Sequence, residues 1–143
     1  MSGFLSPLIV ERLDKRLWKV KQPFEFHLDD AASVLVVVVV PIAFITDFGS
    51  IPRFLWRLFP PVGGPCDKAF VIHDKLYTDP RVVIRAGQPP FKHSFMRITR
   101  EYADNILLEG MRVLGVGWWT QQCIYRGVRW GGKRVWQKHR AQP

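Results

Sequence analysis

The chain has 143 residues, of which 48% are hydrophobic and 13% aromatic, and it carries 21 Lys and Arg against 12 Asp and Glu. This length suits one domain with one hydrophobic core, and the apolar content excludes a chain that is disordered over most of its length. The formal net charge of +9 favours a polyanionic partner, namely nucleic acid, an anionic membrane surface or an acidic protein, although a basic surface also keeps a hydrophobic protein soluble.

The two cysteines and the first residues of the chain bear on the compartment. Cys66 and Cys123 lie far apart and outside any metal-binding spacing. This argues against a disulfide framework and a zinc site, and it favours a reducing compartment. Residues 1–10 have no basic stretch before their apolar residues, so we expect no secretory signal and a protein that stays where it is made.

The first third of the chain predicts a small, mostly antiparallel sheet. Residues 8–20 and 24–28 alternate apolar and polar side chains, as half-buried strands do. Val34–Val40 is almost wholly β-branched and suits a strand buried on both faces. The uncharged segment around it, residues 31–46, is too short for a membrane span and contains Pro41.

Helices are predicted after a loop rich in proline and glycine. The predicted elements are a helical turn at 53–58, a helix at 67–77, a short strand at 81–84, a long helix at 94–114 and a last helix at 118–130. The predicted fold class is α+β, in which a small sheet from the first 46 residues packs against two or three helices. Residues 1–130 form this single domain, and residues 131–143 follow it as a basic tail that contains tryptophan.

A His–Asp pair on the first long helix is the leading candidate for a site. His73 shares a helix face with apolar residues, and a buried imidazole needs a partner. Two helices packed antiparallel bring Asp104 to His73, where it accepts the Nδ1 proton and leaves Nε2 as a general base. Asp74 is then available for a divalent cation such as calcium. The same pair also serves simply to satisfy polar groups in a core, with Tyr77 packed beside it.

The turn at residues 46–53 is the second candidate. Asp47 and Ser50 cap local backbone amides in such turns, so structure alone accounts for them. As functional groups, Asp47 is a second metal ligand and Ser50 a nucleophile, with carbonyl oxygens of residues 62–64 completing an oxygen-rich site. No Gly-x-Ser-x-Gly motif surrounds Ser50, which disfavours the nucleophile.

The C-terminal segment is the third candidate, a surface that docks a polyanion or another protein. It interleaves cations with tryptophans, which suits phosphate contacts with base stacking on DNA, insertion at a lipid interface, or an arm that binds a neighbouring subunit. The residues concerned are Arg126, Arg129, Trp130, Lys133, Arg134 and Trp136.

Three motifs follow one another along the chain: Thr46-Asp47-x-x-Ser50-Ile51-Pro52, His73-Asp74-x-x-Tyr77 and Arg100-x-x-Ala103-Asp104. Together they resemble the uncharacterised family catalogued as domain of unknown function 1353, over residues 34–117. Members of that family occur largely in tailed bacteriophages and prophages. The resemblance implies a virion component of the tail or its junction with the head, made in the bacterial host cytoplasm and assembled in several copies with other virion proteins.

The motif His73-Asp74-x-x-Tyr77 with the later Asp104 is also similar to the catalytic helices of secreted phospholipases A2. That similarity implies that His73 is the base, that Asp74 holds calcium and that Asp104 orients His73. The flanking cysteines of those enzymes and their calcium loop are absent here. The alternative function is therefore a phospholipase-like esterase with His73, Asp104 and Tyr77 in its catalytic site, which acts in phage entry or lysis.

Overall fold

The computed structural model of the protein describes residues 2–4, 6–15, 17–30, 34–47, 66–86 and 92–141. The strands are β1 (Gly3–Phe4), β2 (Val10–Arg12), β3 (Trp18–Val20), β4 (Phe24–Asp30), β5 (Val34–Val40), β6 (Ile45–Thr46), β7 (Arg81–Ala86) and β8 (Lys92–Arg97). The helices are α1 (Asp67–Thr78), α2 (Arg100–Val113), α3 (Trp118–Gly131) and α4 (Lys133–Ala141). The α+β class is confirmed, with four helices in these ranges where two or three were predicted.

The main sheet has five antiparallel strands in the order β1-β4-β5-β7-β8. β4 and β5 pair over their whole length, and β7 pairs with the other edge of β5. Val36, Val37 and Val38 are consecutive and all buried, so both faces are covered at the centre of the sheet. The prediction of a strand buried on both faces is confirmed.

A second, three-stranded sheet takes part of the N-terminal third, where one sheet was predicted. Its order is β2-β3-β6, and Trp18 of β3 lies opposite Thr46 of β6. β5 ends where Pro41 offers no N–H to continue the hydrogen-bond ladder. Ala43 then turns the chain with a φ of 69°, so β6 leaves the main sheet and pairs with β3.

The long helix predicted at 94–114 was wrong in its first two turns. Residues 92–97 form strand β8, which pairs with β7 along its whole length. Helix α2 begins only at Arg100, where the Thr99 hydroxyl oxygen accepts a hydrogen bond from the Tyr102 N–H at 3.2 Å. β7 and β8 thereby add two strands to a sheet that had been predicted from the first 46 residues alone.

Helices α1 and α2 pack closely and in opposite directions. A methyl group added at Gly110 of α2 would lie 3.2 Å from the Cβ of Ala69 on α1, while Tyr77 near the end of α1 bonds to Asp104 near the start of α2. The residue numbers in contact thus run oppositely along the two helices. The antiparallel packing predicted from the sequence is confirmed.

A glycine turn returns the chain from α2 to α3. Gly115 has a φ of 75°, and the Val116 N–H donates to the Met111 carbonyl at 3.1 Å, which is a Schellman motif. α3 then packs on the core through Ile124 and Val128, both buried.

The segment predicted as a tail is largely helical, because residues 133–141 form α4. The ring of Trp136 packs edge-on against Tyr77 with centroids 5.2 Å apart. Arg140 stacks over the Trp136 ring at 4.4 Å and donates to the carbonyls of Tyr77 and Thr78. α4 is therefore held against the C-terminal end of α1.

Cys66 and Cys123 are both free thiols. In the ranges that the structure describes, no helix combines the length and apolar composition that a membrane crossing requires.

Candidate active site around Asp104

Asp104 is the centre of a buried hydrogen-bond network that joins α1, α2 and α3. Its carboxylate is 0% exposed. Oδ1 accepts hydrogen bonds from His73 Nε2 at 2.8 Å and from the Tyr77 hydroxyl at 2.7 Å. Oδ2 accepts from Arg129 Nη1 at 2.9 Å, and Arg100 Nη1 lies 3.7 Å away. One side chain therefore holds together residues from three helices.

Helical spacing explains how these side chains converge. His73 and Tyr77 are four residues apart on α1 and lie on one face, with ring centroids 4.2 Å apart. Arg100 precedes Asp104 by one turn of α2. Arg100 Nη1 also donates to the carbonyl of Arg129 at 3.2 Å, at the end of α3 where the helix dipole favours a cation.

His73 bonds to Asp104 through the other ring nitrogen from the one predicted. Nδ1 was predicted to donate its proton to Asp104, whereas the structure places Nε2 there at 2.8 Å. Nε2 is farther from the backbone than Nδ1. The aspartate side chain is short, so the imidazole must extend farther across the space between the packed helices. The pairing of the two side chains is confirmed, and Nδ1 is the ring nitrogen that does not bond to Asp104.

The network keeps Asp104 ionised. Burial raises the pKa of a carboxyl group, but the hydrogen bonds from His73, Tyr77 and Arg129 outweigh burial and hold the pKa of Asp104 below its ordinary value. Burial, followed by the hydrogen bond to Asp104, raises the pKa of Tyr77 well above its ordinary value. Because an ionised carboxylate only accepts hydrogen bonds, Nε2 of His73 is the protonated nitrogen.

Asp74 lies next to His73 in sequence and contacts a different part of the chain. Its Oδ2 accepts a hydrogen bond from the Thr46 hydroxyl at 2.7 Å, and its carboxylate also accepts one from the backbone of Asp47. Burial, and then the negative charge of Asp47, raise the pKa of Asp74 to about 6. The structure thus brings together the two carboxylates predicted as metal ligands.

Two carboxylates do not make a calcium site, because calcium takes about six to eight oxygen ligands. Over residues 2–4, 6–15, 17–30, 34–47, 66–86 and 92–141, no three His, Cys, Asp or Glu side chains are grouped to hold a metal ion. The predicted carbonyl ligands of residues 62–64 lie outside the described residues, as do Ser50 and the helical turn at 53–58. The divalent cation stays a prediction, and we assign no chemical step to it.

Comparison with known proteins supplies one match. A family model described as "Protein of unknown function (DUF1353)" matches residues 18–128. The chain belongs to this family. No curated protein matches the chain, and neither does any solved structure. The resemblance seen in the three motifs is confirmed, and the DUF1353 region includes His73, Asp74, Tyr77 and Asp104 but ends one residue before Arg129.

Two of the six residues predicted to dock a partner of this DUF1353 protein point inward. Arg129 bonds to Asp104 at 2.9 Å, and Trp136 packs on Tyr77. Both residues hold α3 and α4 against the rest of the fold.

The other four predicted docking residues lie at the surface. Trp130 is 84% exposed, and Arg126, Lys133 and Arg134 are exposed as well. Trp130, Lys133 and Arg134 also line a surface cavity of about 470 Å³. Their docking role stays a prediction.

Arg100 and Arg129 were not predicted to be partners of Asp104. Arg100 and Asp104 are four residues apart on one helix, and this spacing indicates an ion pair that could have been predicted. Arg129 gave no such signal, because its contact with Asp104 arises only where α3 crosses α2.

Proposed function

We propose that this DUF1353 protein is an ester hydrolase that uses His73 as its general base. The observation that carries the proposal is the 2.8 Å hydrogen bond between His73 Nε2 and the fully buried Asp104 Oδ1. An imidazole fixed in this way by an ionised carboxylate offers its second nitrogen as a proton acceptor. The likeness of the His73-Asp74-x-x-Tyr77 motif to phospholipase A2 helices supports an ester of envelope lipid as the substrate.

The proposed reaction begins when Nδ1 of His73 takes a proton from water and the water oxygen attacks the carbonyl carbon of the ester. The carbon–oxygen bond to the alcohol then breaks, and the imidazolium returns its proton to the departing oxygen. The products are a carboxylic acid and an alcohol, and His73 is neutral again. Asp104 stays ionised and stabilises the imidazolium between the two steps.

The neighbourhood of His73 supports a role beyond core packing. Asp74, the next residue, has a pKa raised to about 6 by burial and by the charge of Asp47. Strongly perturbed pKa values are concentrated at functional sites. Asp74 contacts Thr46 and Asp47, and this perturbed carboxyl group lies one residue along α1 from the proposed base.

The test is the turnover of a water-soluble ester and of phospholipid by the wild type and by His73→Gln. Glutamine keeps a donor for Asp104 but cannot act as a base, so we expect the rate to fall by about 100-fold or more. His27→Gln is the matched control, because His27 bonds to Glu25 at 2.9 Å away from Asp104. Circular dichroism of both variants checks that they fold.

Turnover by folded His73→Gln at the wild-type rate would contradict the proposed base. A wild-type protein that cleaves neither ester, while remaining folded, would contradict the hydrolase as a whole.

We also propose that the protein is assembled into the particle of a tailed bacteriophage, in the tail or neck, in several copies and in contact with other virion proteins. The observation in favour is the outer strand of the main sheet. In the part of the chain that the structure describes, β8 pairs with β7 alone, and Phe95 and Met96 are 77% and 40% exposed. Strand edges with exposed apolar side chains pair with a neighbouring chain.

Mass spectrometry of phage particles purified away from free protein tests this assembly. We expect the chain to be present at a fixed ratio to a known tail protein of the same particle. Particles that contain no copy of it would contradict the virion role and would leave the hydrolase proposal intact.

A further inference from the structure

We infer that the outer side of α3 docks on the surface of an anionic lipid bilayer. The surface, called here the Trp face, is formed by four exposed residues of α3: Trp119, Cys123, Arg126 and Trp130. The inference is independent of the proposed hydrolysis, because none of the four belongs to the Asp104 network.

Helical geometry places the four residues on one side of α3. They follow one another at intervals of four, three and four residues, so they fall within about 60° of the helix circumference. The buried residues Ile124 and Val128 lie on the opposite side. Trp119 and Trp130 are 77% and 84% exposed and are about 16 Å apart along the helix axis.

The segment that contains the Trp face has a large excess of positive charge, although Arg129 is paired with Asp104 and Arg112 with Glu109. From residue 110 to residue 143 the chain has seven Lys and Arg and no Asp or Glu, so this segment carries +7 of the net charge of +9. Lys133, Arg134 and Lys138 of the adjoining α4 are exposed. A surface of this composition is complementary to the anionic headgroups of a membrane.

The exposed indoles favour a bilayer over the other polyanions. Indole rings concentrate at the boundary between lipid headgroups and acyl chains, and a single convex helix face can lie along that boundary. Proteins that bind single-stranded nucleic acid stack bases within a positively charged groove instead. A second copy of the chain would bring two strongly positive faces together, which charge repulsion disfavours.

The cavity at one end of the Trp face has the chemistry to hold a lipid phosphate. Its volume is about 470 Å³, and it is lined by Trp130, Gly131, Lys133 and Arg134. Two cations beside an indole suit a phosphate group next to a glycerol backbone. Inorganic phosphate offers the same charge without the apolar portion, so the experiment includes it as a competitor.

The experiment is co-sedimentation of the full chain with vesicles of phosphatidylglycerol and phosphatidylcholine, compared with vesicles of phosphatidylcholine alone. We expect binding to the anionic vesicles that is about tenfold tighter or more, together with a blue shift of tryptophan fluorescence. The double variant Trp119→Ser and Trp130→Ser is expected to lose about tenfold in affinity. Phe95→Ser, which removes an aromatic ring that is 77% exposed on β8, is the matched control and is expected to bind as the wild type does.

Several results would overturn the inference. They are equal binding to neutral and anionic vesicles, wild-type binding by the double tryptophan variant, and complete displacement of the vesicles by millimolar inorganic phosphate. Duplex DNA bound in place of vesicles would also overturn it, as would self-association that depends on the two tryptophans without any vesicle binding. His73→Gln is expected to bind vesicles normally, and the tryptophan variant to cleave a soluble ester normally, so each proposal can fail alone.

Discussion

Asp104 is stable as a buried carboxylate because hydrogen-bond donors contact both of its oxygen atoms. Arg129 at 2.9 Å and Arg100 at 3.7 Å offset its charge at Oδ2. His73 and Tyr77 donate hydrogen bonds to Oδ1. The stability of such a group depends on the whole set, because removal of one charge leaves partly buried partners without compensation.

Asp104→Asn is expected to lower the free energy of unfolding by about 3–5 kcal/mol. The substitution removes the only negative charge of the network and leaves two guanidinium groups facing an amide. Urea unfolding followed by circular dichroism measures the effect. Asp79→Asn is the control, since it breaks a solvent-accessible pair with Arg81 at 2.8 Å and is expected to cost about 0–1 kcal/mol. Equal losses in the two variants would show that the network contributes no special stability.

Asp74 is expected to make the protein less stable as the pH rises from about 4 to about 6. The folded state holds the Asp74 proton up to a pKa of about 6, whereas the unfolded chain releases it near its ordinary value of about 4. Folded protein therefore binds more protons in this window, and stability falls with rising pH. Asp74→Asn lacks this loss, which we expect to be about 2 kcal/mol.

Urea unfolding of both proteins at several pH values between 4 and 7 measures the Asp74 contribution. Asp47→Asn provides a graded comparison, because the charge of Asp47 is the second cause of the raised pKa. It is expected to reduce the pH dependence without abolishing it. Stability curves that run parallel for wild type and Asp74→Asn would refute the assignment.

Much of the residue-level site was open to prediction from the sequence. Helical periodicity placed His73 on an apolar helix face and Asp104 at the edge of another, so antiparallel packing of the two helices was the one further assumption needed to bring them together. The choice of Nε2 was beyond that reasoning, since it depends on the distance between two helix axes. Arg129 was assigned to the surface because the crossing of α3 and α2 has no counterpart in local sequence.

At the level of secondary structure elements, the junction of α3 and α4 determines how Tyr77 is held. Gly132 lies between the two helices, and a methyl group added there would be 2.5 Å from the Tyr77 hydroxyl oxygen. Gly131, its neighbour, has open space around its Cβ position. A side chain at position 132 would therefore clash with Tyr77, whereas one at the adjacent position 131 would have room.

Gly132→Ala is expected to displace Tyr77 from Asp104 and to destabilise the fold by about 1–3 kcal/mol, because overpacking forces the surrounding groups to move. Thermal unfolding gives the stability, and the NMR signals of the His73 ring report the change at Asp104. Gly131→Ala is the matched control and is expected to change neither. A Gly132→Ala protein with wild-type stability and ring signals would refute the close contact.

The elements themselves differ in how well local sequence predicts them. Helix α1 was predicted to within one residue at its end, because apolar spacing and the residues 78–80 mark it. β8 was mistaken for the start of a helix, because its strand character comes from pairing with β7 and that pairing is not a local property. The independent sheet β2-β3-β6 was missed for the same reason.

At the level of the whole molecule, the α+β class followed from the order of alternating and helical patterns. The partition into a five-stranded and a three-stranded sheet, and the return of α4 onto α1, required the tertiary structure. These are the features that decide which surfaces remain open, and β8 at the edge of the main sheet is one of them.

Phe95→Lys is expected to weaken self-association of the protein by about tenfold, because a charge on an outer strand blocks pairing with another chain. Sedimentation velocity over a range of concentrations measures the association. Val113→Lys is the control, since Val113 is 38% exposed on α2 away from β8. A wild-type protein that is monomeric at all concentrations, or a variant that associates unchanged, would exclude β8 as the contact.

The absence of acidic residues after Glu109 makes the chain an electric dipole, with its positive end at α3 and α4. Such a molecule rotates as it diffuses towards a negatively charged target and arrives with that end leading. Encounter rates with the target are then enhanced in dilute buffer and decline once mobile ions shorten the reach of the field to about 8 Å at physiological ionic strength.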